Sequence, residues 1–414
     1  MPAQDHRRPG RRAVLAWMVA TGLPLAACTA DGDGSADGPP TPAAPASPPP
    51  APVTSVPAAP TATAPTTPPR SARAPARTLP PTAGPPLRAF TVAVCGDILL
   101  HSGLWEQAAR DAAGAGERYD FRPMLAGLAP VVGSADLAIA HLETPVGSPS
   151  GPFSGYPSFT VPPAILPALA HVGFAGVSTA SNHSLDAGVA GIGRTIEAVR
   201  AAGLLHAGTA TSATQSQQPT LFGVAGVSVA LLSYAYGFNG YRLPAGRPWA
   251  ANLIDVPAML LAARRAREAG AVVVMVAVHA GEQYVQQPNT EQRQVFRALT
   301  ASADVDFVYG HHAHVAQPVT RVNGKLVAYG LGNAVADQRL PHTRDGMTAL
   351  VRLTPTAAGR YAVTSVTPVP TWMSDTRPLR WLDARPPAAG AHSGDLRSAA
   401  RWVTSAAAAR VTGA

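Results

Sequence analysis

The stretch AVVVMVAVHAGE, residues 271–282, joins a continuous apolar run to a histidine, a glycine and a glutamate. Short valine-rich runs of this kind are typical of strands that are buried on both faces of a sheet. Similar runs recur along the chain as FTVAVC, DLAIA, FAGVSTA, VSVALLS, VDFVYG and LVAYG, beginning at residues 90, 136, 174, 227, 305 and 326. Their repetition predicts a largely buried sheet at the centre of the fold.

Segments with helical spacing lie between these runs. Apolar residues recur at helical spacing from Ile192 to Val199, and Gly203 can cap the C-terminus of that helix. Two more helices are predicted from Asp255 towards Gly270 and from Thr290 towards Ala303. Because strands and helices alternate, the sequence predicts an α/β fold. After Gly346, the patterns MTALVRLT and YAVTSVTPV follow each other without a helix and predict an antiparallel addition.

Residues 1–27 have the layout of a secretory signal, because arginines precede the apolar stretch Ala13–Ala27 and small residues end it. The junction LAAC, residues 25–28, resembles a bacterial lipobox. That resemblance implies cleavage before Cys28 and attachment of a lipid to its sulfur. The alternative interpretation is an ordinary signal peptide with an incidental cysteine.

The segment after Cys28 has a different composition from the rest of the chain. From Thr29 to Arg88 it has 18 prolines in 60 residues and no Phe, Trp or Tyr. Such a segment cannot bury a core, so residues 28–88 are predicted to be a disordered Pro/Ala/Thr-rich tether. The globular domain is predicted to span residues 89–370. Residues 371–414 are predicted to be a C-terminal extension with a short helix near residues 395–410.

Charge and cysteine content exclude two classes of protein. The formal net charge is +8, but the basic residues are scattered, and no basic stripe with interleaved aromatic residues is present. This pattern argues against nucleic acid as a partner. Cys95 is the only cysteine besides Cys28, so the mature domain cannot depend on an intrachain disulfide. The position of Cys95 at the end of an apolar run predicts a buried side chain.

Polar residues follow six of the strand patterns directly, and this placement is the main functional signal in the sequence. Ligands of α/β sheets bind in the crevice beyond the carboxyl ends of the strands. A single polar residue there can be a cap or a solvated loop residue, but six such ends are hard to explain by capping. The candidates are Asp97; His141 and Glu143; Asn182, His183 and Asp186; His279 and Glu282; His311, His312 and His314; and Asn333.

This set of side chains predicts a metal centre. Carboxylates, an amide and several imidazoles suit Zn²⁺, Mn²⁺ or Fe, and carboxylates can bridge two such ions. The thiolates of a structural zinc site are missing. In DFVYGHHAHVAQPV, residues 306–319, an extended backbone would place His312 and His314 on one side and His311 on the other. His311 is therefore expected to make a supporting hydrogen bond rather than to bind the ion.

Six blocks of the sequence resemble, in order, those of the bacterial capsule synthesis protein CapA family, also called the poly-γ-glutamate or PGA_cap family. The resemblance covers about Phe90 to Gln338. It implies a calcineurin-like metallophosphatase sandwich of two β-sheets flanked by helices, with a two-metal centre at the strand ends. The blocks are VAVCGDILLHSG, DLAIAHLETPVG, STASNHSLDAGVAGI, VVMVAVHAGEQY, DFVYGHHAHVAQPV and KLVAYGLGNAVADQ.

The resemblance also implies a role for individual residues. His183 would stand where phosphatases keep a proton donor for the leaving group. The implied metal ligands are Asp97 for one ion, Glu143 bridging both, Asn182 and His279 for the second, and His312 and His314 divided between the two.

The chain departs from the family pattern at several positions. Leu99 stands where phosphatases usually have a histidine, which His101 could replace only if the chain turns sharply. His141 replaces the usual asparagine and is a candidate for an extra ligand. Ala280 replaces a tryptophan, and Glu282 is shifted by one place from the usual glutamate. The types of metal ligand are mostly retained, whereas residues that would contact a substrate differ.

These observations leave three functional interpretations open. The first is a lipid-anchored, metal-dependent hydrolase on the extracytoplasmic face of the cell membrane, acting on an envelope polymer or a phosphoester. The second is a non-catalytic accessory protein that binds or tethers an anionic polymer such as poly-γ-glutamate. The third is a structural envelope protein whose polar strand ends are vestigial. The resemblance implies capsule or poly-γ-glutamate biosynthesis without choosing among them.

Overall fold

The computed structural model describes residues 87–114, 116–387 and 390–412. The predicted signal, Cys28 and all but the last two residues of the predicted tether lie outside this part of the chain. Among the described residues, no helix has both the length and the apolar character that a membrane span requires.

The described residues form fourteen strands. Their bounds, in chain order, are β1 (Phe90–Leu99), β2 (Leu137–Leu142), β3 (Gly176–Ser178), β4 (Leu205–Ala207), β5 (Thr220–Val224), β6 (Val227–Ala235), β7 (Ala271–His279), β8 (Phe307–His311), β9 (Val319–Val322), β10 (Lys325–Ala328), β11 (Asn333–Ala336), β12 (Asp345–Pro355), β13 (Tyr361–Met373) and β14 (Trp381–Asp383).

The same residues form nine α-helices and one short 3-10 helix, Ala126–Leu128. The α-helices are α1 (Ser102–Asp111), α2 (Arg122–Leu125), α3 (Ala129–Gly133), α4 (Ile165–Val172), α5 (Gly188–Ala201), α6 (Ala213–Gln217), α7 (Val256–Glu268), α8 (Thr290–Ala301) and α9 (Ser393–Ala408).

The strands form two sheets with parallel centres. The first sheet has the order β14-β13-β12-β1-β2-β3-β4, and β11 also pairs with β1. Its strands β1, β2, β3 and β4 are parallel, whereas β12, β13 and β14 add in antiparallel fashion. The second sheet has the order β5-β6-β7-β8-β10-β9, in which β6, β7, β8 and β10 are parallel. The parallel strands of each sheet end at one edge, where polar residues can gather.

Side-chain alternation along β1 explains how the layers pack. Phe90, Val92 and Val94 join a buried cluster that also contains Val273 and Met275 of the second sheet. The intervening residues of β1 face a separate cluster formed with α1 to α4. Helices α7 and α8 cover the outer face of the second sheet. The predicted α/β sandwich of two sheets flanked by helices is therefore confirmed.

Local sequence signals account for the elements that carry the site. Each of the seven valine-rich runs corresponds to an observed strand, and helices α5, α7 and α8 lie where helical spacing predicted them. The Asp255 side chain caps α7 by accepting from Ala258 N. Asn289 and Gln292 form a reciprocal capping box at the start of α8. Cys95 is buried, as predicted.

The C-terminal residues pack onto the first sheet. Strand β13 runs across the predicted domain boundary between residues 370 and 371. Trp381 in β14 is fully buried, and α9 buries an apolar face that includes Leu396, Ala399 and Val403. The helix predicted near residues 395–410 is present, but it is packed against the sheet. The helix packs against the sheet because its apolar residues recur at helical spacing and give it one apolar face to bury.

Candidate metal centre

Polar residues from both sheets meet at the carboxyl ends of their parallel strands. In the first sheet, the register of β1 and β2 places Asp97 beside His141. In the second, the register of β7 and β8 places His279 beside His311. Glu143 follows β2 directly, and its side chain is buried with the other four. Two sheet edges therefore converge on one buried polar cluster, as the strand-end pattern predicted.

Potential ligand atoms in this cluster fall into three groups, and within each group the atoms lie within 4.8 Å of one another. Glu143 belongs to two of the groups, so its carboxylate can reach two neighbouring ions. Asp97 also belongs to two. The groups are Asp97, Glu143 and His314; Glu143, His279 and His312; and Asp97, His141 and His311.

The surroundings of the Glu143 carboxylate indicate whether the site fits a metal ion. It is fully buried, and neither of its oxygens has a hydrogen-bond partner. Its Oε1 atom lies 3.9 Å from Nε2 of His279 and 3.8 Å from Nε2 of His314. The Nδ1 atom of His312 is also buried without a partner. Burying an unpaired carboxylate costs several kcal/mol unless a cation compensates it, so these donors fit divalent ions.

A chain of hydrogen bonds orients His279. Its Nε2 lies 2.8 Å from Oδ1 of Asn182, and its Nδ1 lies 3.0 Å from Nε2 of His141. The Nδ1 of His141 lies 2.8 Å from the Ser178 hydroxyl, which donates to the Ala140 carbonyl. If His279 and His141 each carry their ring proton on Nδ1, His279 donates to His141 and His141 donates to Ser178. Neither ring N–H then points towards the centre. The Nε2 lone pair of His279 and the Asn182 oxygen are then free for one ion.

The third group of atoms is poorly arranged for a single ion. The rings of His141 and His311 are stacked, with centroids 3.9 Å apart and an interplanar angle of 14°. A metal ion binds a histidine nitrogen in the plane of its ring. Because these two rings are stacked, an ion in the plane of one lies outside the plane of the other. His311 Nδ1 instead lies 2.7 Å from Oδ1 of Asp97. The geometry therefore gives His141 and His311 supporting positions behind His279 and Asp97.

The backbone of the histidine loop differs from the extended form expected from the sequence. Strand β8 ends at His311, and His312 and His314 have φ angles of 82° and 57°. These left-handed conformations are strained for residues other than glycine. They nevertheless bring both rings to the centre. The His312 ring lies 4.8 Å from that of His279, and His314 Nδ1 lies 2.9 Å from Oδ1 of Asn333.

Burial and charge set the protonation states around the cluster. Burial raises the pKa of Glu143 to about 7 and lowers the pKa of His312 to about 3. Burial also holds the pKa of His279 well below its usual value. His314 differs, because the carboxylates of Glu143 and Asp97 outweigh its burial and raise its pKa to about 9. Neutral His279 and His312 keep the lone pairs that a metal ligand requires, whereas His314 would release its proton on binding an ion.

His183 and Asp186 form a pair beside these residues. The His183 Nδ1 atom lies 2.6 Å from Oδ2 of Asp186, which also accepts the backbone N–H of Phe159. Asn239 lies between His183 and Asn182: its Oδ1 accepts from Asn182 Nδ2 at 3.0 Å, and its Nδ2 lies 3.2 Å from His183 Nδ1. The carboxylate of Asp186 thus fixes the orientation of the His183 ring.

His101 and Glu282 are two further candidates from the sequence that belong to none of the three groups of ligand atoms. The His101 ring bonds to the backbone, with Nδ1 3.1 Å from the Leu99 oxygen and 3.3 Å from Asp337 N, and it stays at the start of α1. His101 therefore does not supply the ligand that is missing at Leu99, since it belongs to none of the three groups. Glu282 is exposed to solvent.

Sequence reasoning missed Ser178 and Asn239. Ser178 is an ordinary strand residue, and only the register of β2 and β3 places it beside His141. Asn239 precedes Gly240 in the loop after β6 and lies four residues beyond the end of that strand. The Asn-Gly pair is a turn signal that could have drawn attention to this loop.

The chain matches known proteins along this part of its length. A family model described as "Bacterial capsule synthesis protein PGA_cap" matches residues 91–338. The chain is 31% identical over 203 residues to the PGA biosynthesis protein CapA of Bacillus subtilis (strain 168), covering 48% of this chain and 52% of that protein. It is 30% identical over 182 residues to the capsule biosynthesis protein CapA of Bacillus anthracis, covering 43% and 44%. The chain therefore aligns with about half the length of these relatives.

Solved structures with a similar arrangement share little sequence identity with this chain. The calcineurin-like phosphoesterase YfkN from Bacillus subtilis is 13% identical, with a TM-score of 0.44, covering 69% of this chain and 91% of that one. A putative 5'-nucleotidase from Staphylococcus aureus is 13% identical, with a TM-score of 0.42, covering 76% and 58%.

Proposed function

The chain belongs to the bacterial capsule synthesis protein PGA_cap family, and from this premise we propose that it is a two-metal hydrolase of the cell envelope. Its substrate would be an envelope polymer or a phosphoester. The observation that carries the proposal is the buried carboxylate of Glu143. Both of its oxygens lack a hydrogen-bond partner, and Oε1 faces His279 and His314.

The donor set supports two ions that share Glu143. Asp97 and His314 would complete the site of the first ion, and Asn182, His279 and His312 would complete the second. Oxygen and imidazole donors without a thiolate suit Mn²⁺, Zn²⁺ or Fe. When bound, such ions lower the pKa of a bound water molecule and polarise an oxygen of the substrate.

The remaining residues would orient the ligands and move a proton. His141 holds the ring of His279, and His311 holds the carboxylate of Asp97. His183 would donate a proton to the leaving group, and Asp186 would keep its ring in place by the bond at Nδ1. Asn239 contacts both Asn182 and His183 and would keep the proton donor beside the second ion.

A second candidate function is a non-catalytic accessory protein that binds or tethers an anionic polymer such as poly-γ-glutamate. The specific observation in its favour is Leu99, which is buried at the position where the resembling phosphatases have a histidine ligand. His101 does not replace that ligand, because it belongs to none of the three groups of ligand atoms found among the described residues. The first ion would then have fewer protein ligands than in those enzymes.

The proposed location is the extracytoplasmic face of the cell membrane. A lipid on Cys28 would anchor the chain, and residues 29–88 would act as the tether between anchor and domain. The support is the LAAC junction behind a short apolar run, in a segment that lies outside the described residues.

Elemental analysis of the purified protein, followed by assays with phosphoester and amide substrates, tests the proposal. We expect about two divalent ions per chain, and hydrolysis that a chelator abolishes and added Mn²⁺, Zn²⁺ or Fe²⁺ restores. Bound metal with polymer binding but no turnover on any substrate would support the accessory function instead. A folded protein that binds no divalent ion would contradict the two-metal hydrolase.

A further inference from the structure

A cavity of about 290 Å³ lies between the outermost strands β4 of the first sheet and β5 of the second. The Thr220 hydroxyl at the start of β5 donates to the His206 carbonyl in β4 at 2.6 Å and joins the two edges. Residues of β6 and of helices α5, α6 and α7 form the rest of the wall. None of the lining residues belongs to the three groups of ligand atoms, so the cavity is separate from the metal centre.

The charged side chains of this wall all have the same sign. Among the described residues, no aspartate or glutamate lines the cavity, whereas Arg200 from the last turn of α5 and Arg265 from the last turn of α7 do. Neither arginine bonds to a carboxylate of the described residues, although Arg267 nearby pairs with Asp306. Both side chains are exposed and can turn towards a bound ligand. The cavity therefore favours an anion.

His206 contributes a donor that has no acceptor. The Gln215 Oε1 atom accepts from the Thr211 N–H at 2.8 Å, so the Gln215 amide nitrogen is the atom that lies 3.4 Å from His206 Nε2 and donates to it. Burial, and secondarily the charge of Arg200, lower the pKa of His206 to about 4, so the ring is neutral at neutral pH. Its proton is therefore on Nδ1, which is buried without a partner among the described residues. An oxygen of an anion bound beside this ring would supply the acceptor.

A hydroxyl group and apolar side chains give the cavity the character of a site for a small organic molecule. Tyr234 is only 6% exposed, and its hydroxyl bonds to no other described residue, although buried tyrosines usually have a partner. Leu221 and Leu232 supply apolar surface next to it. Ligand sites commonly combine apolar walls with a few polar groups in volumes from about 300 Å³ upwards.

We propose that this cavity binds a small organic anion at a site separate from the metal centre. Arg200, Arg265 and the ring N–H of His206 would hold its carboxylate or phosphate group, and its uncharged part would pack against Tyr234 and Leu232. Arginine suits both kinds of head group, because its planar fork can bond to two of their oxygens at once. The inference goes beyond the proposed function and does not depend on it.

Ligand-detected NMR titrations of the purified full chain test this inference with compounds of matched shape. Benzoate, benzamide and benzamidine share a ring and differ in charge, from negative through neutral to positive. Phenylphosphonate replaces the carboxylate by a phosphate-like group that cannot be hydrolysed as an ester. Each titration is repeated after treatment with a chelator, so that binding to metal ions is recognised.

Variants of the lining residues locate the binding site. Arg200→Gln and Arg265→Gln remove charges from exposed positions, and Tyr234→Phe removes only a hydroxyl. His206→Leu removes the ring donor. Arg264→Gln is the matched control, because Arg264 is exposed beside Arg265 on α7 but does not line the cavity.

We expect benzoate or phenylphosphonate to bind at least about 10-fold more tightly than benzamide, and benzamidine to bind most weakly. Tighter binding of benzoate would assign a carboxylate ligand, and tighter binding of phenylphosphonate a phosphate ligand. Each arginine variant should weaken binding of the preferred anion by about 3-fold, and His206→Leu and Tyr234→Phe by about 3- to 10-fold. The control and the chelator-treated protein should bind like the untreated wild type.

Three outcomes would overturn the inference. One is that neither anion binds at concentrations up to about 10 mM. Another is that the wild type and both arginine variants bind the preferred anion equally, which remains decisive if His206→Leu does not fold. The third is that the chelator abolishes binding, because the anion would then be held by metal ions. Failure of the proposed function is a different result, since it appears as missing metal or turnover.

Discussion

The Oε1 atom of Glu143 lies 3.8 Å from Nε2 of His314, and neither side chain is accessible to solvent. The two residues come from different sheets, since Glu143 follows β2 and His314 follows β8. Their proximity links the two halves of the sandwich through a carboxylate that has no hydrogen-bond partner. A shared cation would hold the edges of the sheets together, whereas its removal leaves a buried negative charge poorly compensated.

Replacing Glu143 should therefore remove metal from both positions. In Glu143→Gln the side chain keeps its size but cannot bridge two cations as a carboxylate, so we expect bound divalent metal to fall to less than half of the wild-type value. Elemental analysis of the purified variant measures this.

Glu282→Gln provides the control for this experiment. It removes a carboxylate three residues after His279, but this one is exposed to solvent. We expect wild-type metal content in that variant. Equal metal content in Glu143→Gln and the wild type would show that Glu143 is not a ligand.

His141 should act through His279 rather than as a ligand of its own. In His141→Leu the Nδ1 atom of His279 loses its partner, and we expect metal affinity to fall by about 10–100-fold. In His141→Gln the amide can accept from His279 and donate to Ser178, so affinity should recover at least in part. Metal titrations of both variants compare the two effects. Equal losses in both would argue that His141 binds the ion directly.

Much of this site could be predicted because its signals are local. Valine-rich runs mark the strands, and the ligand-type residues follow their carboxyl ends. The three-residue strand β4 could not be predicted, since it is too short for a periodic pattern. Ser178 could not be found because its partner lies 37 positions away in the chain. Asn239 lies in an Asn-Gly turn that the sequence does show, but its contact with Asn182 spans 57 positions and could not be predicted. The left-handed backbone of His312 and His314 carries no glycine signal. It depends on contacts with Asp97 and Asn333 that form only in the folded chain.

His206 in β4 should make the fold sensitive to acid. Burial, and secondarily Arg200, lowers its pKa to about 4, and its Nδ1 atom has no partner. Between pH 6.5 and about 4, His206 is protonated in the unfolded chain but stays neutral in the folded chain. This residue therefore lowers the free energy of unfolding as pH falls from about 6.5 towards 4.

The variant His206→Gln removes that proton uptake. With metal removed from both proteins, the loss in free energy of unfolding between pH 7.5 and pH 5 should be smaller in the variant by about 1–2 kcal/mol. Denaturant titrations at the two pH values measure it. An identical pH dependence in both proteins would refute the effect.

Lipid attachment at Cys28 should decide where the chain is found in the cell. The variant Cys28→Ser cannot carry a thioether-linked lipid, and the apolar stretch before it is too short for a permanent membrane span. We expect the variant in the soluble fraction and the wild type in the membrane fraction, as measured by fractionation and immunoblotting. Retention of the serine variant in the membrane would place the anchor elsewhere.

The three histidines that follow β8 should differ in their effect on metal binding. His312 and His314 each belong to a group of atoms that includes Glu143, whereas the ring of His311 stacks on His141 and bonds to Asp97. Removing a direct ligand leaves the ion under-coordinated. Removing a supporting partner typically costs only about 10–100-fold in affinity. Metal content should therefore fall sharply in His312→Ala and His314→Ala, and only modestly in His311→Ala.

The structure supplies a control for backbone effects in this series. His342 also has a left-handed backbone, with φ 63°, but it is exposed and pairs with Asp345 outside the three groups of ligand atoms. His342→Ala should therefore retain full metal content, and thermal melts should show that all four variants are folded. Loss of metal in His311→Ala together with its retention in His314→Ala would reverse the assignment, because the ion would then lie against the stacked rings of His141 and His311.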